Sequence, residues 1–292
     1  MVQSKLAALS SEALEGFRAA QRLAYACAQW AASELQEGVT ERQVAERMRR
    51  YLQDHGVRDC FHEPFAWFGD RTAFRGVVGW RPLGGFNPAF FPGKRRLQAG
   101  MPYILDCAPT LNGYTADIGY SGALGHNPAL DQLMDDLIEY RTLILDQVQV
   151  RASLASISQA VDALCERHGY EPRHKAYPFQ TLAHRVEVLD ADGRDLPTVT
   201  RFGLRNLANL LRDRVRGARE GWHSIWNGST RSDHPPTPGL WAVEPHLGFR
   251  GVGAKFEELL VVTEDDAWWL DDEVPHVRRW QARGVQAVQE AA

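Results

Sequence analysis

The sequence predicts an α+β fold of two related halves around an antiparallel sheet, and three observations predict it. Segments with a helical period alternate with short apolar runs bounded by turn residues. Two of those runs form hairpins that carry acidic pairs, Asp106/Asp117 around Asn112-Gly113 and Glu244/Glu257 around a Gly-rich turn. The order of elements also repeats: Thr40, Val44, Leu52, His55 and Gly56 correspond at one constant offset to Ser153, Ile157, Cys165, His168 and Gly169. Each half therefore reads helix, helix, then strands ending in an acidic hairpin, with the two halves enclosing one site.

The elements follow in order. Residues 12–35 carry a helical stripe of Phe17, Ala20, Leu23, Ala24, Cys27, Trp30 and Ala31, which Gly38 interrupts. Thr40 caps the next helix, with Gln43 completing a capping box, and Val44, Met48 and Leu52 run to His55-Gly56. Residues 61–124 read as strands and loops, including a Gly/Pro/Phe-rich loop at 76–93. A long helical pattern spans 129–150, and Ser153 starts another through Ile157, Val161 and Leu164. LRNLANLLRDRVRGARE, within 201–238, reads as a helix or a mobile cover, and Pro235-Pro236 block any helix in DHPPTPG. ELLVV and AWWLDD are closing strands. The domain expectation is one catalytic domain over 1–275, with half-domains at about 12–140 and 141–270, and a C-terminal tail at 276–292.

Composition narrows the function. The 292 residues are 44% hydrophobic, enough for a real core, and the net charge is −4. With a pI near 6.2 this argues against a nucleic-acid binder. The basic runs at Lys94-Arg95-Arg96 and 212–219 are short and read as solvated faces. No window has the apolar length of a membrane span and the start lacks a signal-peptide core, so the expectation is a cytoplasmic protein without a membrane partner. The four cysteines, Cys27, Cys60, Cys107 and Cys165, have no CxxC spacing and predict no disulfide framework.

The acidic pairs point to metal. A two-residue turn at Asn112-Gly113 pairs Leu111 with Tyr114 and sets Ala108 opposite Asp117, so Asp106 and Asp117 are diagonal neighbours on one face. A turn at Gly251-Val252 would pair His246 with Glu257 and give Glu244 the same relation to Glu257, although the glycines there permit bulges. Four convergent carboxylates are costly near core strands unless cations relieve their repulsion. Two divalent ions sharing a bridging carboxylate would do so. A mostly oxygen shell with one imidazole suits Mn, Fe, Co or Zn.

The stretches LQAGMPYILDCAPTLNGYTADIGYSGALG, AHRVE and PGLWAVEPHLGFRGVGAKFEELLVVTEDDAWWL together resemble the methionine aminopeptidase, prolidase and creatinase family. These are the M24 metallopeptidases of the pita-bread fold. The resemblance covers about residues 12–270, and the short spacing from Glu244 to Glu257 is closest to the prolidase and aminopeptidase P branch. On this reading the expectation is a chain without that branch's N-terminal domain. The resemblance implies metal ligands at Asp106, Asp117, His184, Glu244 and Glu257, with Asp117 and Glu257 bridging two ions. It also implies a homodimer.

Departures from the family pattern bear on the substrate. The family usually reads GHGxG around its metal histidine, where this chain has Ala183-His184-Arg185-Val186-Glu187. A second family histidine falls at Ala191, and an upstream one falls near Arg75 or Phe90. His62, His223, His234 or His246 are candidate replacements. The expected activity is a dinuclear-metal hydrolase acting on a peptide or amide bond of a small substrate, with Glu244 moving protons and His246 as a supporting or substrate contact. Trp67, Phe68, Phe90, Phe91, Trp222 and Trp226 are candidate pocket walls. The alternatives are a non-peptidase metalloenzyme acting on an amino-acid-derived metabolite, oxygen-dependent if Fe or Mn is bound, and a non-catalytic binding protein.

Overall fold

The computed structural model describes residues 9–75, 88–189, 198–199 and 201–287. The first half begins with helices α1 (Ser11–Ser33) and α2 (Glu41–Asp54). The Thr40 hydroxyl accepts from the Gln43 backbone and the Gln43 side chain from that of Thr40, so the expected capping box starts α2. Strands β1 (Asp59–Cys60), β2 (Phe65–Phe68), β3 (Pro102–Cys107), β4 (Pro109–Leu111), β5 (Tyr114–Thr115) and β6 (Ile118–Ala123) follow. They form the sheets β2-β3-β6 and β1-β4-β5.

The second half repeats the plan. Helices α3 (Pro128–Gln149) and α4 (Leu154–His168) precede β7 (Glu171–Pro172) and β8 (Ala183–Val186). Ser153 caps α4 as expected, and Gly169 ends it in the left-handed conformation. A short antiparallel pair, β9 (Thr198–Val199) and β10 (Phe202–Gly203), leads into α5 (Leu204–Glu220). The segment left open between helix and cover is thus a helix. Then come β11 (Ile225–Trp226), β12 (Gly239–Val243), β13 (His246–Phe249), β14 (Val252–Lys255), β15 (Glu258–Val262), β16 (Ala267–Trp269) and α6 (Pro275–Arg283). The larger sheet of this half runs β11-β8-β12-β15-β16 with all pairs antiparallel. Helix α6 lies within the stretch expected as tail, and it is packed: Trp280 is buried and its indole N–H donates to Met134 O at 2.7 Å.

The main core lies between the helices and the sheets, from Met48, Leu105 and Ile118 to Tyr140, Val161, Trp241 and Leu260. The halves meet where a β-bridge joins Gly119 to Glu257. The Ser121 hydroxyl ties this seam, accepting from Lys255 N at 2.9 Å and donating to Lys255 O at 2.7 Å. Burial on both faces explains why β3, β12 and β15 read as near-continuous apolar runs rather than alternating ones. All four cysteines are free, as expected. Among the described residues, no helix is long and apolar enough to cross a membrane.

Candidate metal centre

The first hairpin has the predicted register. Leu111 faces Tyr114, and the same register continues into β3 and β6, with Asp106 opposite Gly119 and Cys107 opposite Ile118. Asp106 and Asp117 therefore share a face, and both are buried. His184 comes in on β8, paired with Ile225 on one side and Ala242 on the other. Glu244 follows β12, its N–H donating to Leu182 O at 2.8 Å. Glu257 precedes β15 at the seam, and its carbonyl accepts from the Tyr25 hydroxyl at 2.6 Å. All five residues carried over from the resemblance thus converge on one buried place.

The second hairpin differs from expectation. Phe249 pairs with Val252 and His246 with Lys255, not with Glu257. The turn is Arg250-Gly251, both with positive φ (51° and 87°), the two-residue turn whose twist matches antiparallel strands. Moving the turn by one position shifts the cross-strand partner by two, which keeps the face and changes the neighbour. His246 is consequently enclosed away from the carboxylates. Its Nε2–H donates to Thr72 O at 2.7 Å, leaving Nδ1 to accept from the Tyr177 hydroxyl at 3.2 Å. Burial first, then the Lys255 charge, holds this imidazole well below its ordinary pKa.

The residue missing from the sequence-based expectation is Lys255. Its ammonium donates to Asp106 Oδ2 at 2.6 Å, Glu257 Oε2 at 2.8 Å and Glu244 Oε2 at 2.9 Å, and lies 3.1 Å from the Tyr177 hydroxyl. The side chain is fully buried. Burial alone would favour the neutral amine, yet the three carboxylates raise its pKa well above the ordinary value. Lys255 lies two positions before Glu257 in AKFEE, and the period-two rule for extended chain puts both on one face. That spacing was a legible signal.

Two imidazoles close the other side of the cluster. His184 Nε2 lies 3.3 Å from Asp117 Oδ2, and His62 Nε2 lies 3.2 Å from Asp117 Oδ1 and 3.3 Å from Asp106 Oδ1. Each ring turns Nδ1 to a backbone carbonyl, Arg185 O for His184 and Glu63 O for His62, which aims Nε2 into the site. For His62 burial lowers the pKa, but the Asp117 and Asp106 charges override it and bring it to about 9. Burial raises Glu244 and raises Glu257 further, and repulsion by Asp117 adds to both. Asp117 is held well below the ordinary carboxylate range, because the two imidazoles outweigh its burial. Of the other candidate histidines, neither His223 nor His234 lines the cavity over this cluster; the His223 backbone N–H, just before β11, donates to His234 Nε2 at 2.9 Å.

Two trios of buried donors arise, His62/Asp106/Asp117 and Asp117/His184/Glu257, with ligand atoms all within 4.8 Å of one another. Asp106 Oδ1 is buried and accepts no hydrogen bond among the described residues. The donor set, carboxylate oxygens with imidazole nitrogen, fits a divalent ion of the Mn, Fe, Co or Zn kind.

The cluster forms the floor of a cavity of about 380 Å³. Its walls are apolar, built from Phe61, Phe65, Trp67, Phe91, Phe202 and Leu210, with Tyr177 and Phe179 at one side. Trp67, Phe90 and Phe91 are therefore wall residues as expected. Phe68 and Trp226 are instead packed in the core, and Trp222 stacks with Arg185 and Arg216. Phe90 thus holds one position of the upstream family histidine, and Arg75 lies beside Gly251. Ala191, aligned with the other missing histidine, falls outside the described residues. Arg185, next to His184 in the atypical AHRVE, points to the opposite face, where it bonds Glu187 at 2.5 Å and lies against Trp222.

The chain is similar to known proteins in fold and in sequence. A structure of an X-Pro aminopeptidase from Thermotoga maritima superposes with a TM-score of 0.63 at 14% identity, covering 92% of this chain and 64% of that one. A dipeptidase from Mycobacterium ulcerans gives 0.62 at 18%, covering 91% and 59%, and a prolidase from Pyrococcus furiosus gives 0.58 at 17%, covering 92% and 66%. These likenesses establish the pita-bread fold. In sequence, an uncharacterized peptidase of Staphylococcus aureus is 24% identical over 162 residues, covering 55% of this chain and 42% of the relative. The chain spans less than half the length of that relative. The model of metallopeptidase family M24 matches residues 15–264. The chain belongs to metallopeptidase family M24.

Proposed function

We propose that this chain is a metal-dependent hydrolase that cleaves a peptide or amide bond beside a bulky apolar group of a small substrate. The observation that carries this reading is the carboxylate–imidazole cluster at the floor of an aromatic cavity. Asp106, Asp117, His184, Glu244 and Glu257 are the residues proposed to form the metal centre. When bound, a divalent ion there supplies Lewis acidity, polarising a carbonyl and making water a better nucleophile near neutral pH.

The remaining chemistry belongs to side chains. Glu244 lines the cavity with Oε2 fixed by Lys255, so its carboxylate is oriented to take a proton from water and return it to the leaving amine. His62 also lines the cavity, and of the four candidate replacements it is the one placed to meet a substrate oxygen. His246 acts through Tyr177, whose ring it orients, rather than by touching substrate. The aromatic walls exclude water and take up the apolar group.

No Arg or Lys is among the described residues lining the cavity; its polar groups include the cluster's carboxylates with His62 and His184, and the remaining walls are mostly aromatic. The apolar lining favours a substrate, peptide or amide, that carries a bulky apolar group. The test is a panel of X-Pro dipeptides and N-acyl or aryl amides, assayed with Mn, Fe, Co and Zn before and after chelation. The expected result is chelator-sensitive turnover with the apolar amides ahead. Turnover that survives complete metal removal, or none with any metal on any substrate, would sink the reading.

A further inference from the structure

The Lys255 ammonium lies among carboxylates that the family pattern gives to two cations. Two of the oxygens it takes, Asp106 Oδ2 and Glu257 Oε2, come from residues that the resemblance assigns to the same ion, and the third, Glu244 Oε2, comes from a residue it assigns to the other. Beside the ammonium, Asp106 Oδ1 and Asp117 Oδ1 face His62 Nε2 at 3.3 and 3.2 Å, the first of the two donor trios. In contrast Asp117 Oδ2, His184 Nε2 and Glu257 Oε1 face one another, with none of the three bonded to the ammonium.

The lysine is built into the seam. A Cβ at Gly119 would come within 2.1 Å of Lys255 Cε and 3.0 Å of Cδ, so the absence of a side chain at Gly119 makes the channel for the lysine stem. Ser121 fixes the Lys255 backbone on both its N–H and C=O. The three ammonium hydrogens match the three carboxylates, and the Tyr177 ring lies beside Nζ at 5.1 Å.

Resting on the metal-dependent reading above, we propose that this centre is mononuclear: Lys255 replaces one ion with a fixed ammonium, and a single divalent ion binds Asp117, His184 and Glu257. The ammonium neutralises Asp106 and aligns Glu244 and Glu257 but offers no vacant coordination position. Lewis acidity is therefore confined to the His184 side of the cluster.

The test is metal counting. Metal-stripped protein is loaded with Mn²⁺, freed of excess, and assayed by elemental analysis per folded chain. Wild type should hold one ion, His184→Ala none, and Lys255→Met two, because removing the ammonium restores the oxygens for a second cation. Two ions in wild type, or one retained by His184→Ala, overturns the proposal while leaving metal dependence intact. No ion in wild type overturns both readings. Should Lys255→Met not fold, Mn²⁺ anomalous scattering from wild-type crystals decides the same question: one peak among Asp117, His184 and Glu257 supports the proposal, and two peaks or a peak elsewhere overturn it.

Discussion

Glu257 and Glu258 are adjacent and both essentially without solvent exposure, yet they face opposite ways and meet different cations. Glu257 Oε2 receives the Lys255 ammonium at 2.8 Å. Glu258 turns into the core, where Arg141 reaches it at 2.6 Å and His276 at 2.9 Å. Alternation along an extended chain makes this division, so one dipeptide serves the site and the scaffold together.

The scaffold half of that pair should be costly to break. Arg141→Met leaves Glu258 buried without its main counter-charge, with an expected loss of about 3–5 kcal/mol in chemical denaturation. The double variant Arg141→Met, Glu258→Gln should recover much of that loss. Equal destabilisation in single and double variants would show that packing, not charge pairing, dominates.

The site half should be costly to chemistry and not to folding. Glu244→Gln keeps the size of the side chain and most of the Lys255 contact but removes the proton acceptor. Turnover of the best substrate in the panel should fall about 100-fold or more with an unchanged melting temperature. A variant with near wild-type kcat would remove Glu244 from proton transfer.

The aromatic cavity predicts a specificity change. Phe65 stacks on both His62 and Trp67, at 4.8 Å and 5.4 Å between ring centres, and lines the cavity. Phe65→Ala should lower kcat/KM for the most apolar amide by about 10- to 200-fold, and much less for a small one. A uniform loss across the series would point to misplacement of His62 instead.

Asp213 on α5 gives a pH signature away from the metal cluster. Burial first, then the nearby Glu187, raises its pKa to about 6. The unfolded value is about 3.9, so between the two the native state binds more protons and stability falls as pH rises through that window. Asp213→Asn abolishes this loss. It should stabilise the protein at pH 7 by about 1 kcal/mol, after discounting for solvent screening, and give no gain near pH 3.5. A gain independent of pH would assign the effect to hydrogen bonding rather than ionisation.

Local information was enough for much of this protein. The capping box at Thr40, the cap at Ser153, the turn at Asn112-Gly113 and the register that brings Asp106 beside Asp117 all follow from short-range rules, and the structure has each of them. The repeat of helix, helix and acidic hairpin pointed to the two-half architecture. His184 was named through the resemblance, because no local rule connects residue 184 to residue 117. The Arg250-Gly251 turn was not legible because Gly248, Gly251 and Gly253 each permitted a different register, and only the pairing of whole strands selected one.

Tertiary structure decided which cations meet the carboxylates. Lys255 reaches Asp106 only because Gly119, from the other half, leaves room for its stem, and His62 reaches Asp117 only because β2 lies beside β3. The sequence determined that four carboxylates and a histidine converge; the seam between the halves decided that a lysine stands among them. The physical reason is range: strand alternation and turns act over a few residues, whereas the charge balance of a buried cluster depends on every group that folding brings within a few ångströms.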